Sequence, residues 1–170
     1  MYLENNEIRH YPIRAILSWV LVAIWMALIF FLSHQPAEQS GMLSTGLAER
    51  FILFFRGELS ADRVEKLDGI LRSMAHGLIF YMLGLFLAWA FFEVHIRDLR
   101  NAAVTLAVGL LYAGSDEWHQ SLVVGRASQW SDFFTDGLGI LIAVLMVQIF
   151  AAWRYLRSDL RVKREEDLRI

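Results

Sequence analysis

The chain contains no cysteine and only two prolines among its 170 residues. The first absence excludes a disulfide framework, a thiolate metal site and a cysteine nucleophile. Two prolines and eleven glycines also exclude collagen-like and Pro/Gly-rich disordered chains. Charge is scarce as well. Only 20% of residues are charged, where a soluble domain carries about a quarter. The net charge of -2 supplies no basic excess, so nucleic acid is not an expected partner. What the chain has instead is apolar surface: 56% of residues are hydrophobic and the mean hydropathy is +0.42. The length fits one domain, and the apolar excess directs it to a membrane.

Four stretches lack Asp, Glu, Lys and Arg altogether. They are Ala15–Leu32 (18 residues), Ser73–Phe92 (20), Asn101–Ser115 (15) and Gly137–Trp153 (17). About 20 residues at a rise of 1.5 Å cross a hydrocarbon core of about 30 Å. The first two stretches meet that length and the last two fall short. The first is too long for a secretory signal and lacks a small-residue cleavage pattern, so it reads as an uncleaved helix ending near Pro36. The expectation is an all-α polytopic membrane protein, residues 1–170 forming a single domain with spans at about 15–33, 73–92, 101–119 and 134–153 and a basic tail at 154–170.

Basic residues orient such a chain. Ten lie on one side: Arg9, Arg14, Arg97, Arg100 and six in the tail. Six lie on the other: Arg50, Arg56, Arg63, Lys66, Arg72 and Arg126. Both termini are therefore expected in the cytoplasm. Trp153 and Tyr155 at one end, and Trp118 and Trp130 at the other, suit interfacial belts. Between the first two spans, Leu43, Leu47, Phe51 and Phe54 recur at helical spacing, which predicts an amphipathic helix. Ser60 is placed to cap a second helix that runs into the second span.

The two short stretches locate the chemistry. Twenty residues counted outward from Phe92, Asn101 and Trp153 reach Ser73, Gln120 and Phe134. His76, Asp116, Glu117, His119, Gln120 and Asp136 then fall within the last turns, with Asp132 just beyond and His34 and Gln35 at the exit of the first span. Arg72 and His76 are four apart and share a face, as do Asp116 and Gln120, with His119 three along, and Asp132 and Asp136. Adjacent Asp116 and Glu117 cannot both address one partner, and Asp116 is expected to point inward. Ionisable groups at membrane depth are costly and face the bundle interior, paired. A shared polar pocket at the outer side follows. Each residue also has a structural reading: His76 as a core histidine, Arg72 as an interface marker, Arg126 as a loop cation, Asp132 as the cap of the fourth helix. Gly77, Gly84, Gly137 and Gly139 permit close helix approach.

Ser33-His34-Gln35-Pro36, Arg72-Ser73-Met74-Ala75-His76, and Asp116-Glu117-Trp118-His119-Gln120 with Gly125-Arg126 and Asp132, Asp136 and Gly139 resemble the VanZ-like family. These are small bacterial membrane proteins named for a member linked to teicoplanin resistance. The resemblance runs from about Trp19 to Leu145. It departs at Val124, where the family often has proline, and at Ile79 and Phe80, where it often has an acid and a tyrosine. It implies a multi-pass protein of the bacterial plasma membrane and a role in glycopeptide resistance.

Two functions compete. In one, the pocket binds a membrane lipid, a lipid-linked envelope precursor or the lipophilic antibiotic, with Arg72 and Arg126 holding phosphate or carboxylate oxygens among Glu117, Gln120, Asp132, His34 and Gln35. In the other, an intramembrane enzyme works on an anionic lipid headgroup. His76 and His119 would act as acid and base with Asp116 or Asp136 orienting them, or a divalent metal would activate water. The His/Asp spacing matches no metal motif, and neither a Gly-x-Ser-x-Gly nor a P-loop pattern occurs. A transporter or scaffold reading has less support, since no inverted repeat or mid-membrane helix break is visible. The oligomeric state is not legible.

Overall fold

The computed structural model describes residues 4–35, 37–54, 60–123 and 130–167, with side chains at 13–35, 45–54, 60–123 and 130–161. Among them lie five helices and no strand: α1 (Glu4–Ser33), α2 (Ala37–Phe54), α3 (Ala61–Glu93), α4 (Asp98–Gln120) and α5 (Trp130–Asp167). Three have a segment long and apolar enough to cross a membrane, at Ile13–Ser33, Ala61–Glu93 and Trp130–Arg161. α4 has 23 residues, about 35 Å at 1.5 Å per residue, but carries Asp98, Arg100, Asp116 and Glu117.

Helices that keep apolar residues all round have nowhere to put them but lipid. α1 exposes Ile13, Ile16, Leu17, Val20, Ile24 and Phe31, and α5 exposes Ile142, Leu145, Met146 and Ile149. The buried core is small by comparison, built on Val22, Ile29, Phe80, Leu83, Leu87, Ala113 and Ile140. α3 is the hub, packing against all four other helices and most extensively against α5.

Small residues set that approach, as expected where lipid gives no hydrophobic drive between helices. A Cβ on Gly139 would strike the Gly77 carbonyl oxygen and stand 3.0 Å from the Tyr81 nitrogen. A Cβ on Gly84 would lie 2.8 Å from the Ala143 Cβ, and one on Gly77 3.1 Å from the Thr135 Cγ2. Hydrogen bonds across the seams add direction. Trp25 Nε1 donates to Ile79 O (2.9 Å), Tyr112 Oη to Met26 O (2.6 Å), and Ser73 pairs with Thr135 (3.1 Å).

At the far end the α3–α4 turn holds His95 and Asp98 at φ 66 and 53, the left-handed region that L-residues seldom occupy. Asn101 fixes this turn. Its Nδ2 donates to Ala88 O (2.9 Å) and Ile96 O (3.1 Å), and its Oδ1 accepts from Thr105 (3.3 Å).

Several expectations need correcting. The basic segment from 154 is not a separate irregular tail among the described residues: α5 continues as helix to Asp167. The α2 helix starts at Ala37, earlier than the amphipathic pattern indicated. Ser60 caps α3 as expected, its Oγ accepting from the Arg63 amide at 3.4 Å. Asp132 is not a cap, because α5 begins at Trp130 and places Asp132 inside its first turn, where a carboxylate still suits the helix dipole.

Candidate functional site

Four helices meet at one end of the bundle: the last turn of α1, the third to fifth turns of α3, the last turns of α4 and the first turns of α5. Asp136 occupies the centre. Its side chain is fully buried, and neither carboxylate oxygen has a hydrogen-bond partner among the described residues. His76 stands beside it on α3, Nδ1 to Oδ1 3.9 Å, itself only 17% exposed. Asp116 approaches from α4 and is also buried. One ligating atom from each of His76, Asp116 and Asp136 lies within 4.8 Å of the other two.

Asp116 is held from two sides. Ser33 Oγ, at the end of α1, donates to its Oδ2 at 2.8 Å, and Gln120 Nε2, one turn along α4, donates to the same oxygen at 2.8 Å. Gln120 also reaches Ser33 Oγ at 3.5 Å. Its other oxygen, Oδ1, is not the acceptor in either bond. A carboxylate oriented by neutral donors on one oxygen and open on the other is the arrangement found behind metal-binding carboxylates.

A second group flanks the first. His34 Nδ1 and His119 Nε2 lie 3.3 Å apart, the rings nearly parallel with centroids 5.4 Å apart. Phe30 stacks on His119 at 4.4 Å. His119 thus turns toward α1 and pairs with His34; the metal-competent trio is His76, Asp116 and Asp136. The acids also differ from expectation. Asp116 and Glu117 are both buried, at 3% and 6% exposure, because the polar end of the bundle has neighbours on more than one side of α4.

Arg72 is engaged within its own helix. Its Nη2 donates to Asp68 Oδ2 at 2.6 Å, and Thr45 on α2 donates to Asp68 Oδ1 at 3.3 Å. Asp132 is half-buried in the first turn of α5, in contact with Ser131, and Gln35 is half-buried beyond α1. Arg126, with Gly125, lies outside the described residues.

Thr45 and Asp68 were not among the residues singled out from sequence, and Ser33 entered only as part of the Ser33-His34-Gln35-Pro36 motif. Asp68 could have been, since the four-residue spacing that pairs Arg72 with His76 applies equally one turn earlier. For Ser33 that motif gave no role, and by spacing alone a serine ending an apolar helix looks like any helix terminus.

Apolar helices presenting lipid-facing side chains, with a buried acidic cluster at one end, define a helical membrane protein with a built polar site. The family model described as VanZ/LLP1 matches residues 18–151, and the chain belongs to that family. The match runs from the middle of α1 to residue 151 within α5 and contains every residue of the cluster. Nothing matched among the curated proteins or among the solved structures.

Proposed function

We propose that this chain is a bacterial plasma-membrane protein whose cluster holds a divalent cation and through it binds the phosphate of a lipid-linked envelope component. In this reading α4 is the fourth span, both termini are cytoplasmic by the basic-residue asymmetry, the cluster lies at the outer face, and α2 rests on the outer leaflet.

The observation that carries the proposal is Asp136. A buried carboxylate without a donor is among the most costly groups a protein can hold, and a second carboxylate and an imidazole stand beside it. A cation resolves that cost. Two carboxylates and one imidazole suit hard or borderline divalent ions. The cation also resolves a charge problem. Asp116, Glu117 and Asp136 would repel an anionic headgroup, and Arg72 is already committed to Asp68. A metal with open coordination positions converts the acidic pocket into a phosphate receptor. The glycopeptide-resistance role associated with the family's namesake belongs to this reading.

A second reading is favoured by the count of ligands. Three protein ligands leave positions for water, and a metal-bound water is a nucleophile at neutral pH. The site would then hydrolyse or transfer the headgroup.

The test is binding of a polyprenyl phosphate to the purified protein, with and without a chelator. Binding is expected to need added Mn²⁺ or Mg²⁺ and to be lost in Asp136→Asn. Equal binding in chelator, or in Asp136→Asn, refutes the proposal. Release of inorganic phosphate from the wild type alone would decide for the enzyme.

A further inference from the structure

The opposite end of the bundle carries a second site, independent of the acidic cluster. A cleft of about 440 Å³ opens there between the end of α3, the start of α4 and α5. Its walls include Leu85, Trp89, Phe92 and Val147, and its polar rim holds Arg97, Asp98 and Arg154. Two guanidinium groups therefore face one acid.

Neither arginine is neutralised by the fold. Arg97 and Arg154 form no ion pair among the described residues. Arg97 lies over the Phe92 ring, Cζ 3.3 Å from its centroid, and its Nη1 is buried without a hydrogen-bond partner among those residues. The neighbouring amides are spent: Asn101 serves Ala88 and Ile96, and Gln148 Nε2 donates to Asp98 O at 3.3 Å. Arg97 also stands at the N-cap of α4, and no side chain caps that helix start. The Trp89 indole N–H is satisfied by Glu93 Oε1 (3.0 Å), leaving its ring as wall.

We infer that this cleft binds an anionic phospholipid, its phosphate held by Arg97 and Arg154 and an acyl chain lying along Leu85, Trp89 and Val147. Guanidinium forks match phosphate oxygens, and the apolar wall is what separates a lipid from a free phosphate ion. Basic clefts between helices at the cytoplasmic membrane face are suited to acidic lipid headgroups. Beyond the cleft, α5 continues the basic character with Arg157 and Arg161, which lie with Arg154 beside Trp153.

The experiment uses the full chain in vesicles of phosphatidylglycerol and phosphatidylcholine at fixed ratio, with bromine placed on the acyl chains of one lipid or the other. Total charge is then the same in both samples. The Trp89 signal is the fluorescence difference between wild type and Trp89→Phe. The site's preference for phosphatidylglycerol is expected to be about fivefold in affinity for each arginine engaged, roughly 25-fold for both, so brominated phosphatidylglycerol should quench the Trp89 signal more than brominated phosphatidylcholine. The preference should vanish in the double variant Arg97→Gln/Arg154→Gln and survive in part in the double Lys variant. Equal quenching by both lipids in the wild type overturns the inference and requires no arginine variant to fold. So does a preference that persists in the double Gln variant. Inorganic phosphate at a concentration matching the lipid should leave the preference intact, because it gains nothing from the apolar wall; if it abolishes the preference there, the rim belongs to a free anion and the lipid inference is overturned.

Discussion

Gly139→Ala tests the packing that brings α5, and with it Asp136, against α3. The added Cβ would collide with the Gly77 carbonyl oxygen and lie 3.0 Å from the Tyr81 nitrogen. Both are backbone atoms, so no side chain can rotate away and the helices must separate. Overpacking costs typically 1–3 kcal/mol, and more when nothing yields. For a chain of this size each kcal/mol lowers the melting temperature by about 2–4 °C, so a cost of about 3 kcal/mol predicts a fall of roughly 6–12 °C. The internal control is Gly46→Ala on α2, where a Cβ meets nothing within 4 Å. There the gain in helix propensity, up to about 1 kcal/mol, should leave the protein unchanged or slightly more stable. The assay is thermal unfolding in detergent at one scan rate, because membrane proteins commonly unfold irreversibly. Gly139→Ala melting with the wild type would refute the account of the α3–α5 seam.

Three further outcomes are expected. Asn101→Leu strips the Ala88 and Ile96 carbonyls of a buried donor and should cost about 1–3 kcal/mol, with faster amide exchange through the α3–α4 turn. Tyr112→Phe frees the Met26 carbonyl at about 1 kcal/mol, seen as a small drop in melting temperature without loss of lipid binding. Asp68→Ala removes the acceptor shared by Thr45 and Arg72; protease cleavage within α2 should accelerate while the transmembrane core stays protected.

The α1 and α3 helices were legible because a lipid-facing helix must exclude charge over its whole length, which leaves charge-free runs at Ala15–Leu32 and Ser73–Phe92. The converging end was legible for a related reason: runs too short to span must borrow polar residues, which marked Asp116 and Asp136. Spacing then went only so far. Gln120, grouped with Asp116 by spacing, does donate to it, yet it also reaches Ser33 on α1, and His119 turns away to His34. Which helix lies beyond each flank is a tertiary fact that periodicity does not carry. The continuation of α5 past Trp153 was readable in principle, since no glycine or proline follows Gly139; its dense charge suggested a tail instead. The Arg72–Asp68 pair escaped because the acid lies on the polar stretch before the apolar run. A residue's partner there depends on how α2 docks.

The central claim is that His76, Asp116 and Asp136 together hold a divalent cation. Equilibrium dialysis of the purified protein against Mn²⁺ and Zn²⁺, followed by elemental analysis, tests it most directly. About one ion per chain is expected in the wild type and in Lys66→Ala, whose pair with Asp62 is exposed, and none in Asp136→Asn or His76→Ala. A wild-type protein that retains neither metal, or an Asp136→Asn variant that retains it in full, would contradict the account.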